Sequence, residues 1–356
     1  MADSAYARAG VDTSRAERAI LGLVEVLRGI DTGRPSRSVL RPGHYAAVIA
    51  LDERTGVALC TDGVGTKLIV AEQLGRYDTV GIDCVAMNVN DLVCVGAEPF
   101  ALLDYIAVED VDPEALRQIA EGLKLGAEQA GVEIPGGELA QLPELIRGHP
   151  SPRGLDLAAS AFGVVALDEI VTGERIVAGD VLLGLPSGGL HSNGYTLARR
   201  ALPDLEAAPV ELGGRSVGEE LLRPTAIYVR AVLELLRSDA VDVHGLAHIT
   251  GDGLLNLPRL GDSVGWSIDT PLPIPPVFEL IAERASVTPE DMWETFNMGC
   301  GFCVVVPADQ APAALALLAS RHPGAAVIGS ATAEAGLVEL PGAGLVGRRG
   351  EGFRRA

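Results

Sequence analysis

The sequence has no run of apolar residues long enough to span a bilayer, which takes about 20 residues. Its N-terminal stretch also lacks the positively charged segment and apolar core of a secretory signal. A membrane partner is therefore not expected, and a cytoplasmic location is predicted.

Cysteines are few and odd in number. The five cysteines lie in apolar surroundings, and the lone C-x-x-C motif, Cys300 to Cys303, has no second pair with which to hold zinc. Free, mostly buried thiols are expected, with Cys300 and Cys303 on a strand that enters the core.

The usual glycine signatures of nucleotide-binding folds are missing. Gly63-Val64-Gly65-Thr66-Lys67 does not have the spacing of a P-loop, which needs four residues between its glycines. The single G-x-G-x-x-G match, Gly342 to Gly347, has too few residues after it for a helix and a second strand, and we expect it to be a loop.

Positive charge is also in short supply. Acidic residues outnumber basic residues by 48 to 28, and the resulting net charge of −20 disfavours binding to nucleic acid. An anionic ligand would have to be met locally by a cation, backbone amides or a bound metal. Hydrophobic residues make up 48% of the 356, which predicts a compact globular protein, and the length favours two domains.

The stretch from Cys60 to Pro99 carries the most informative motif. Asp62, Gly63, Gly65, Thr66 and Lys67 follow an apolar strand, and an Asn-rich acidic run that ends at Asp91 comes next. Amides freed by the glycines, the Lys67 cation and a metal held by two carboxylates would suit the phosphates of a nucleotide. This pattern predicts phosphoryl-transfer chemistry.

Residues 82–95 form a mostly apolar segment that predicts a buried helix. Asn88 and Asp91 are three residues apart, so on a helix both side chains lie on one face and can reach one ion. An Asx-turn or a helix cap is the alternative interpretation of these two residues.

Two glycine-rich turns in the second half are further candidate anion sites, because each precedes an apolar segment. The first runs from Ser187 to Gly194 and contains His191; the second runs from His248 to Gly253. Histidine titrates in the right range for proton transfer, so His191 and His248 are candidates for that role or for binding a substrate phosphate. Plain turn chemistry and helix capping are the alternatives.

The order of strands and helices starts again near residue 170. We therefore predict an α/β fold of two domains, residues 1–170 and 171–356, each with a sheet and helices. Predicted strands near 45–61 and 101–108 have apolar faces that need a partner sheet, which favours a homodimer.

Several motifs in this order closely resemble the phosphoribosylformylglycinamidine cyclo-ligase (AIR synthetase) family. They are Tyr6 to Asp12, Asp62 to Lys67, Gly81-Ile82-Asp83, Asn88 to Asp91, Gly96 to Pro99, Gly136-Gly137-Glu138, Ser187 to Tyr195, His248 to Gly253 and Phe296 to Gly299. The resemblance covers almost the whole chain. An archaeal branch of the family looks closer at Pro42 to Tyr45, which stands where other members have Gly-Gly-Phe-Gly.

The resemblance implies an ATP-dependent ring closure on a small ribonucleotide, with Mg²⁺, in purine biosynthesis. It also implies that the first domain binds ATP and Mg²⁺ and pairs into a β-barrel across a homodimer, and that the second binds the substrate phosphate. On the matching positions, Asp62, Asp91 and Glu138 would bind Mg²⁺, and Lys67 would contact phosphate. Further nucleotide contacts would come from Asp62, Gly63, Gly65, Thr66, Asp83, Asn88, Gly137, Ser192, Asn193, Thr250 and Gly251.

Two alternatives share parts of this pattern. A thiamine-monophosphate kinase would read Gly-Asp-Asp where this chain has Thr61-Asp62-Gly63. A catalytically silent, nucleotide-binding paralogue would usually have lost acids or the lysine, and Asp62, Lys67, Asp91 and Glu138 are all present.

Overall fold

The computed structural model describes residues 13–261 and 263–356. The Tyr6 to Asp12 motif therefore lies outside the described residues. Within the described ranges, no helix is both long enough and apolar enough to cross a membrane.

The first half contains a five-stranded mixed sheet with helices. Its strands are β1 (Ala47–Ala50), β2 (Thr55–Gly63), β3 (Glu98–Val108), β4 (Glu133–Gln141) and β5 (Leu155–Ala166). Its helices are α1 (Thr13–Arg28), α2 (Leu68–Leu74), α3 (Val80–Val93) and α4 (Pro113–Ala130), and a short 3-10 helix spans Gly65–Lys67. The strand order is β1-β2-β5-β3-β4, with β3 and β4 parallel.

The two faces of this sheet differ in burial. Along β5 the odd-numbered residues from Leu157 to Val165 are buried, while the even-numbered residues are partly or fully exposed. Helices cover the buried face, because α3 contacts β2, β3 and β5. The open face carries apolar side chains such as Leu103 and Tyr105, each 41% exposed.

A close helix crossing fixes α3 against α4. A Cβ on Gly81 would lie 2.2 Å from the Leu123 nitrogen, and a Cβ on Gly122 would lie 2.7 Å from the Asp78 carbonyl oxygen. Only glycine permits this approach. Gly81 of the Gly81-Ile82-Asp83 motif thus places the helix that carries Asp83, Asn88 and Asp91.

The second half contains an eight-stranded sheet. Its strands are β6 (Val181–Pro186), β7 (Gly245–His248), β8 (Gly265–Ser267), β9 (Cys300–Val306), β10 (Ala326–Thr332), β11 (Val338–Leu340), β12 (Leu345–Arg348) and β13 (Gly352–Arg355). The strand order is β13-β12-β11-β8-β10-β6-β9-β7. Its helices are α5 (Tyr195–Ala201), α6 (Val217–Leu221), α7 (Val229–Leu236), α8 (Pro276–Ala285), α9 (Pro289–Thr295) and α10 (Ala311–Arg321), with 3-10 helices at Val210–Leu212, Gly253–Leu260 and Pro341–Ala343.

Several predictions from the sequence are confirmed by these elements. The fold is α/β with two mixed sheets, and Cys300 and Cys303 lie as free thiols on the fully buried strand β9. The Gly342 to Gly347 match, expected to be a loop, instead runs from the end of a 3-10 helix into strand β12, which contains its last three residues.

Strand β4 continues through Gly136-Gly137-Glu138 and pairs with β3 as far as Gln141. Gly137 is needed there for side-chain space, because a Cβ on it would lie 2.3 Å from Asp104 Oδ1.

Candidate active site

An acidic centre forms where β2 meets α3 on the helix-covered face of the first sheet. Asp62 lies near the end of β2, and Asp91 lies on α3. Asn88 donates through Nδ2 to the Asp62 carbonyl oxygen (3.1 Å) and to the Cys84 carbonyl oxygen (2.9 Å). The predicted helix face is therefore directed at the end of the strand, as the spacing of Asn88 and Asp91 required.

The centre has the character of a hard-cation site. Burial, and next the negative charge of Asp91, raise the pKa of Asp62. A cation bound between the two carboxylates would stabilise the ionised form of Asp62. Asn88 Oδ1 is buried and has no hydrogen-bond partner in the part of the chain that the structure describes. Within the described residues no three carboxylates, imidazoles or thiols could hold a metal alone. Two carboxylates and an amide oxygen nevertheless fit Mg²⁺, which usually keeps waters and takes further oxygens from substrate phosphates.

A histidine from the second half contacts the acidic centre. His248 ends strand β7 and is fully buried, and its Nδ1 lies 2.8 Å from Asp91 Oδ1. Its Nε2 lies 3.4 Å from Asn90 Nδ2. Both ring nitrogens therefore face protein groups, an arrangement that holds a carboxylate in place and leaves no nitrogen for a substrate.

Lys67 also joins the two halves of the chain. Its ammonium pairs with Asp83 Oδ2 at 2.7 Å, both side chains being fully buried. It donates as well to the carbonyl oxygens of His191 (3.2 Å) and Arg223 (2.6 Å), and Asp83 accepts from the Thr225 amide and hydroxyl. One ion pair and two hydrogen bonds thus hold the ammonium, and this geometry orders the interface between the halves. Direct contact of Lys67 and Asp83 with a nucleotide stays a prediction.

The loop from Ser187 to Gly194 presents polar atoms that have no partner. His191 has a left-handed backbone (φ 63°), and its Nε2 accepts from the Gly188 amide at 3.2 Å. Burial places the pKa of His191 well below its usual value. The ring is therefore neutral with its proton on Nδ1, and no hydrogen-bond partner for Nδ1 is found among the described residues. His191 is suited to donate a hydrogen bond rather than to shuttle a proton.

The remaining loop residues surround the same region. Ser192 Oγ lies 3.2 Å from Thr225 Oγ1, and Asn193 Oδ1 is buried with no hydrogen-bond partner among the residues described. Asn193 borders the second glycine turn, since a Cβ on Gly251 would lie 3.8 Å from its Nδ2. Thr250 forms an isolated bridge with Asp252, which gives that turn its shape.

Comparison with known families decides the relationship. The AIR synthase related protein N-terminal domain matches residues 43–165, and the corresponding C-terminal domain matches residues 177–339. The chain belongs to the AIR synthase family. The two matched regions correspond to the two sheets described above.

Curated members of the AIR synthase family match nearly the full length of the chain. A phosphoribosylformylglycinamidine cyclo-ligase of Methanothermobacter thermautotrophicus is 48% identical over 340 residues, covering 94% of this chain and 96% of the relative. The enzyme of the same name from Thermococcus kodakarensis is 47% identical over 338 residues, covering 93% and 96%. The predicted likeness to an archaeal branch is thus confirmed.

A solved structure of the same fold is more distant in sequence. AaThiL complexed with AMPPCP and TMP superposes with a TM-score of 0.62 at 17% identity, covering 93% of this chain and 95% of that one. At this identity the likeness concerns the fold alone.

Glu138 of this AIR synthase family chain is separated from the acidic centre by the sheet. Across the paired strands, Asp62 is level with Ala159, Asp104 and Gly137, whereas Glu138 is level with Tyr105 on the opposite, open face. Within one chain, Glu138 does not join Asp62 and Asp91. Its role as a metal ligand stays a prediction that a second subunit would have to satisfy.

Some residues of the AIR synthase site were not predicted from the sequence. Asn90 donates to the Ala226 carbonyl oxygen (2.9 Å) and accepts from the Tyr228 amide (3.0 Å), and Thr225 binds Asp83. Residues 223–228 thus form the segment against which the first half docks. Arg223-Pro224-Thr225 carries no signal that would have singled it out, because its importance comes from partners more than 130 positions away.

Proposed function

We propose that this protein is an ATP-dependent cyclo-ligase that closes the imidazole ring of formylglycinamidine ribonucleotide, giving 5-aminoimidazole ribonucleotide, ADP and phosphate. The observation that carries the proposal is the grouping of Asp62, Asn88 and Asp91, together with a loop of the second half that Lys67 contacts through the His191 carbonyl oxygen at 3.2 Å. The near full-length relatives named for this reaction support it. A kinase of thiamine monophosphate is less favoured, since this chain has Thr61-Asp62-Gly63 where such a kinase would read Gly-Asp-Asp.

The chemistry follows from the poor electrophilicity of a formamide carbon. Transfer of the γ-phosphoryl group of ATP to the formyl oxygen would make that oxygen a good leaving group. The amidine nitrogen of the same molecule then attacks the activated carbon, and the C–O bond breaks as inorganic phosphate departs. Both reacting groups belong to one substrate, so the protein has to align them rather than bring them together.

The acidic centre would hold Mg²⁺ through Asp62, Asp91 and Asn88 Oδ1. When bound, the ion would neutralise charge on the transferring phosphoryl group. The backbone amide of Gly65 and the exposed Thr66 follow Asp62 closely, where they can bind phosphate oxygens, whereas the Gly63 amide donates to Asp62 Oδ1 at 2.7 Å. ATP as the second substrate is supported by the AMPPCP-bound structural relative, AMPPCP being a methylene analogue of ATP.

The loop of the second half would bind the ribonucleotide. His191 Nδ1, Ser187 Oγ and Asn193 Oδ1 are buried and have no hydrogen-bond partner within residues 13–261 and 263–356, and they offer one imidazole N–H, one hydroxyl and one amide oxygen. Buried polar atoms without partners are costly, so a ligand that satisfies them gains affinity. We assign His191 to holding a substrate oxygen.

The direct test is an assay with purified protein, Mg²⁺, ATP and formylglycinamidine ribonucleotide. One ADP, one phosphate and one aminoimidazole ribonucleotide are expected per turnover. ADP formation that does not depend on the amidine substrate, or phosphate transfer to thiamine monophosphate, would contradict the proposal.

The fate of the formyl oxygen separates substrate activation from ATP hydrolysis that merely drives a conformational change. Substrate labelled with heavy oxygen in its formyl group should give labelled inorganic phosphate, one label per ring closed. Mass spectrometry of the phosphate measures this. Label that appears in water, with ring closure still dependent on ATP, would exclude the phosphorylated intermediate.

We further propose that two chains pair through the open face of the first sheet to form the predicted barrel. Ile49, Leu103, Tyr105 and Val164 lie on that face and are each about two-fifths exposed, a contiguous apolar surface that a second sheet would cover. Glu138 lies on the same face as Tyr105. In such a dimer it would be directed at the partner subunit.

The dimer makes a measurable prediction. Light scattering at micromolar concentration should give twice the 37.0 kDa mass of one chain. Replacing both Leu103 and Tyr105 by glutamate should shift the protein to the monomer, because two charges would be buried without partners. The same replacement by glutamate at Val210, which is exposed outside the first sheet, should leave the dimer mass unchanged. A fully active wild-type monomer would contradict the pairing.

A further inference from the structure

His248 is placed to act on Asp91 rather than on substrate. The ring is fully buried, and a carboxylate oxygen can only accept, so Nδ1 carries the proton and donates to Asp91 Oδ1 across 2.8 Å. This bond occupies one carboxylate oxygen. The other oxygen, Asp91 Oδ2, has a weak donor in the Cys60 thiol at 3.9 Å and so remains available for a cation.

Asn90 selects the same proton position from the other side of the ring. Its amide cannot turn over, because Oδ1 accepts from the Tyr228 amide at 3.0 Å and Nδ2 donates to the Ala226 carbonyl oxygen at 2.9 Å. Nδ2 therefore faces His248 Nε2 at 3.4 Å with a proton of its own. A proton on Nε2 would meet a second donor there, so the ring is held with its proton on Nδ1.

The chain of bonds also crosses between the halves of the protein. Asn90 and Asp91 belong to helix α3 of the first half, while His248, Ala226 and Tyr228 belong to the second. The orientation of the Asp91 carboxylate consequently depends on the second half being docked.

We propose that His248 is a positioning residue, held by Asn90, that fixes the Asp91 carboxylate for a divalent cation and thereby couples metal affinity to the docking of the two halves. The inference rests on the proposed function only in taking Asp91 as a ligand of that cation. Partners that orient metal-binding side chains typically contribute about 10- to 100-fold to metal affinity.

The chain offers a matched control. His244, a half-buried residue of the same half, has its Nδ1 2.7 Å from Oδ2 of the buried Asp180 and its Nε2 3.3 Å from Asp242 Oδ2, and none of the three is part of the candidate site. Replacing His244 by phenylalanine removes a comparable bond and a comparable ring. Any effect of His248→Phe that His244→Phe also produces is a general effect on stability.

The experiment is a Mn²⁺ titration of the full chain in the presence of saturating ADP, with free Mn²⁺ read by electron paramagnetic resonance. His248→Phe should weaken Mn²⁺ binding by about 10- to 100-fold, and His248→Asn, whose amide can replace the Nδ1 donor, should stay within about threefold of wild type. His244→Phe should bind as wild type does. Thermal unfolding of each variant confirms that folded protein is compared.

The outcomes separate the two proposals. Wild-type Mn²⁺ affinity in folded His248→Phe would overturn the positioning role and leave the metal site standing. Equal losses in His248→Phe and His248→Asn would overturn the argument that a donor at Nδ1 is what matters. A wild-type protein that binds no Mn²⁺ would overturn the metal site itself, and the positioning role with it.

Discussion

Replacing Asp91 by asparagine is expected to lower ATP-dependent ring closure by about 10²-fold or more, the scale of removing one group that stabilises transition-state charge. An amide has the shape of the carboxylate but not its charge, so it would bind Mg²⁺ poorly. It could also turn its NH₂ group toward His248 Nδ1, which now donates to Asp91. Steady-state kinetics against Mg²⁺ concentration measure the loss.

The control for this variant is Asp309→Asn, which removes one exposed carboxylate far along the sequence. It should leave the kinetics unchanged. Thermal unfolding of the Asp91 variant should stay close to wild type, because the side chain is only one of several contacts of helix α3. Ring closure at near wild-type rate at ordinary Mg²⁺ would contradict the assignment of Asp91.

Replacing Lys67 by methionine is expected to lower the free energy of unfolding by about 3–5 kcal/mol, the usual cost of removing one partner of a buried ion pair. The Asp83 carboxylate would remain at zero exposure without its counter-charge, and the carbonyl oxygens of His191 and Arg223 would lose a donor. Denaturant unfolding measures the change.

Two variants make this result interpretable. Lys124 pairs with Glu128 on the surface, so Lys124→Met should change stability by less than about 0.5 kcal/mol. Adding Asp83→Asn to Lys67→Met removes the stranded charge and should recover part of the loss. If Lys67→Met instead keeps wild-type stability and loses nucleotide affinity, Lys67 contacts phosphate as the sequence predicted.

Local patterns predicted several elements and the three residues of the acidic centre. The spacing of Asn88 and Asp91 places them on one helix face whatever the rest of the chain does, and Asp62 follows directly from the strand before it. The start of helix α4 is equally local, since the Asp112 side chain accepts from the Glu114 amide and Pro113 is the first helical residue. Such signals extend over a few residues, which is the range that a single sequence conveys.

Long-range pairing could not be predicted in the same way. Asp91 and His248 are 157 positions apart, and Lys67 meets a carbonyl oxygen 156 positions away. Glu138 shows a related limit, because its sheet face depends on the register between β3 and β4. A shift of one residue would reverse that face.

The buried Lys67–Asp83 pair also bears on how this enzyme can be divided. A fragment that ends near residue 170 would keep Lys67 and Asp83 but lose the Thr225 donors and the backbone oxygens of His191 and Arg223. The surface exposed by the cut would carry an ammonium and a carboxylate that are fully buried in the whole chain. The two halves are therefore poor modules for recombination: a half exchanged between relatives has to bring matching residues at 223–228, or the chimaera will be unstable.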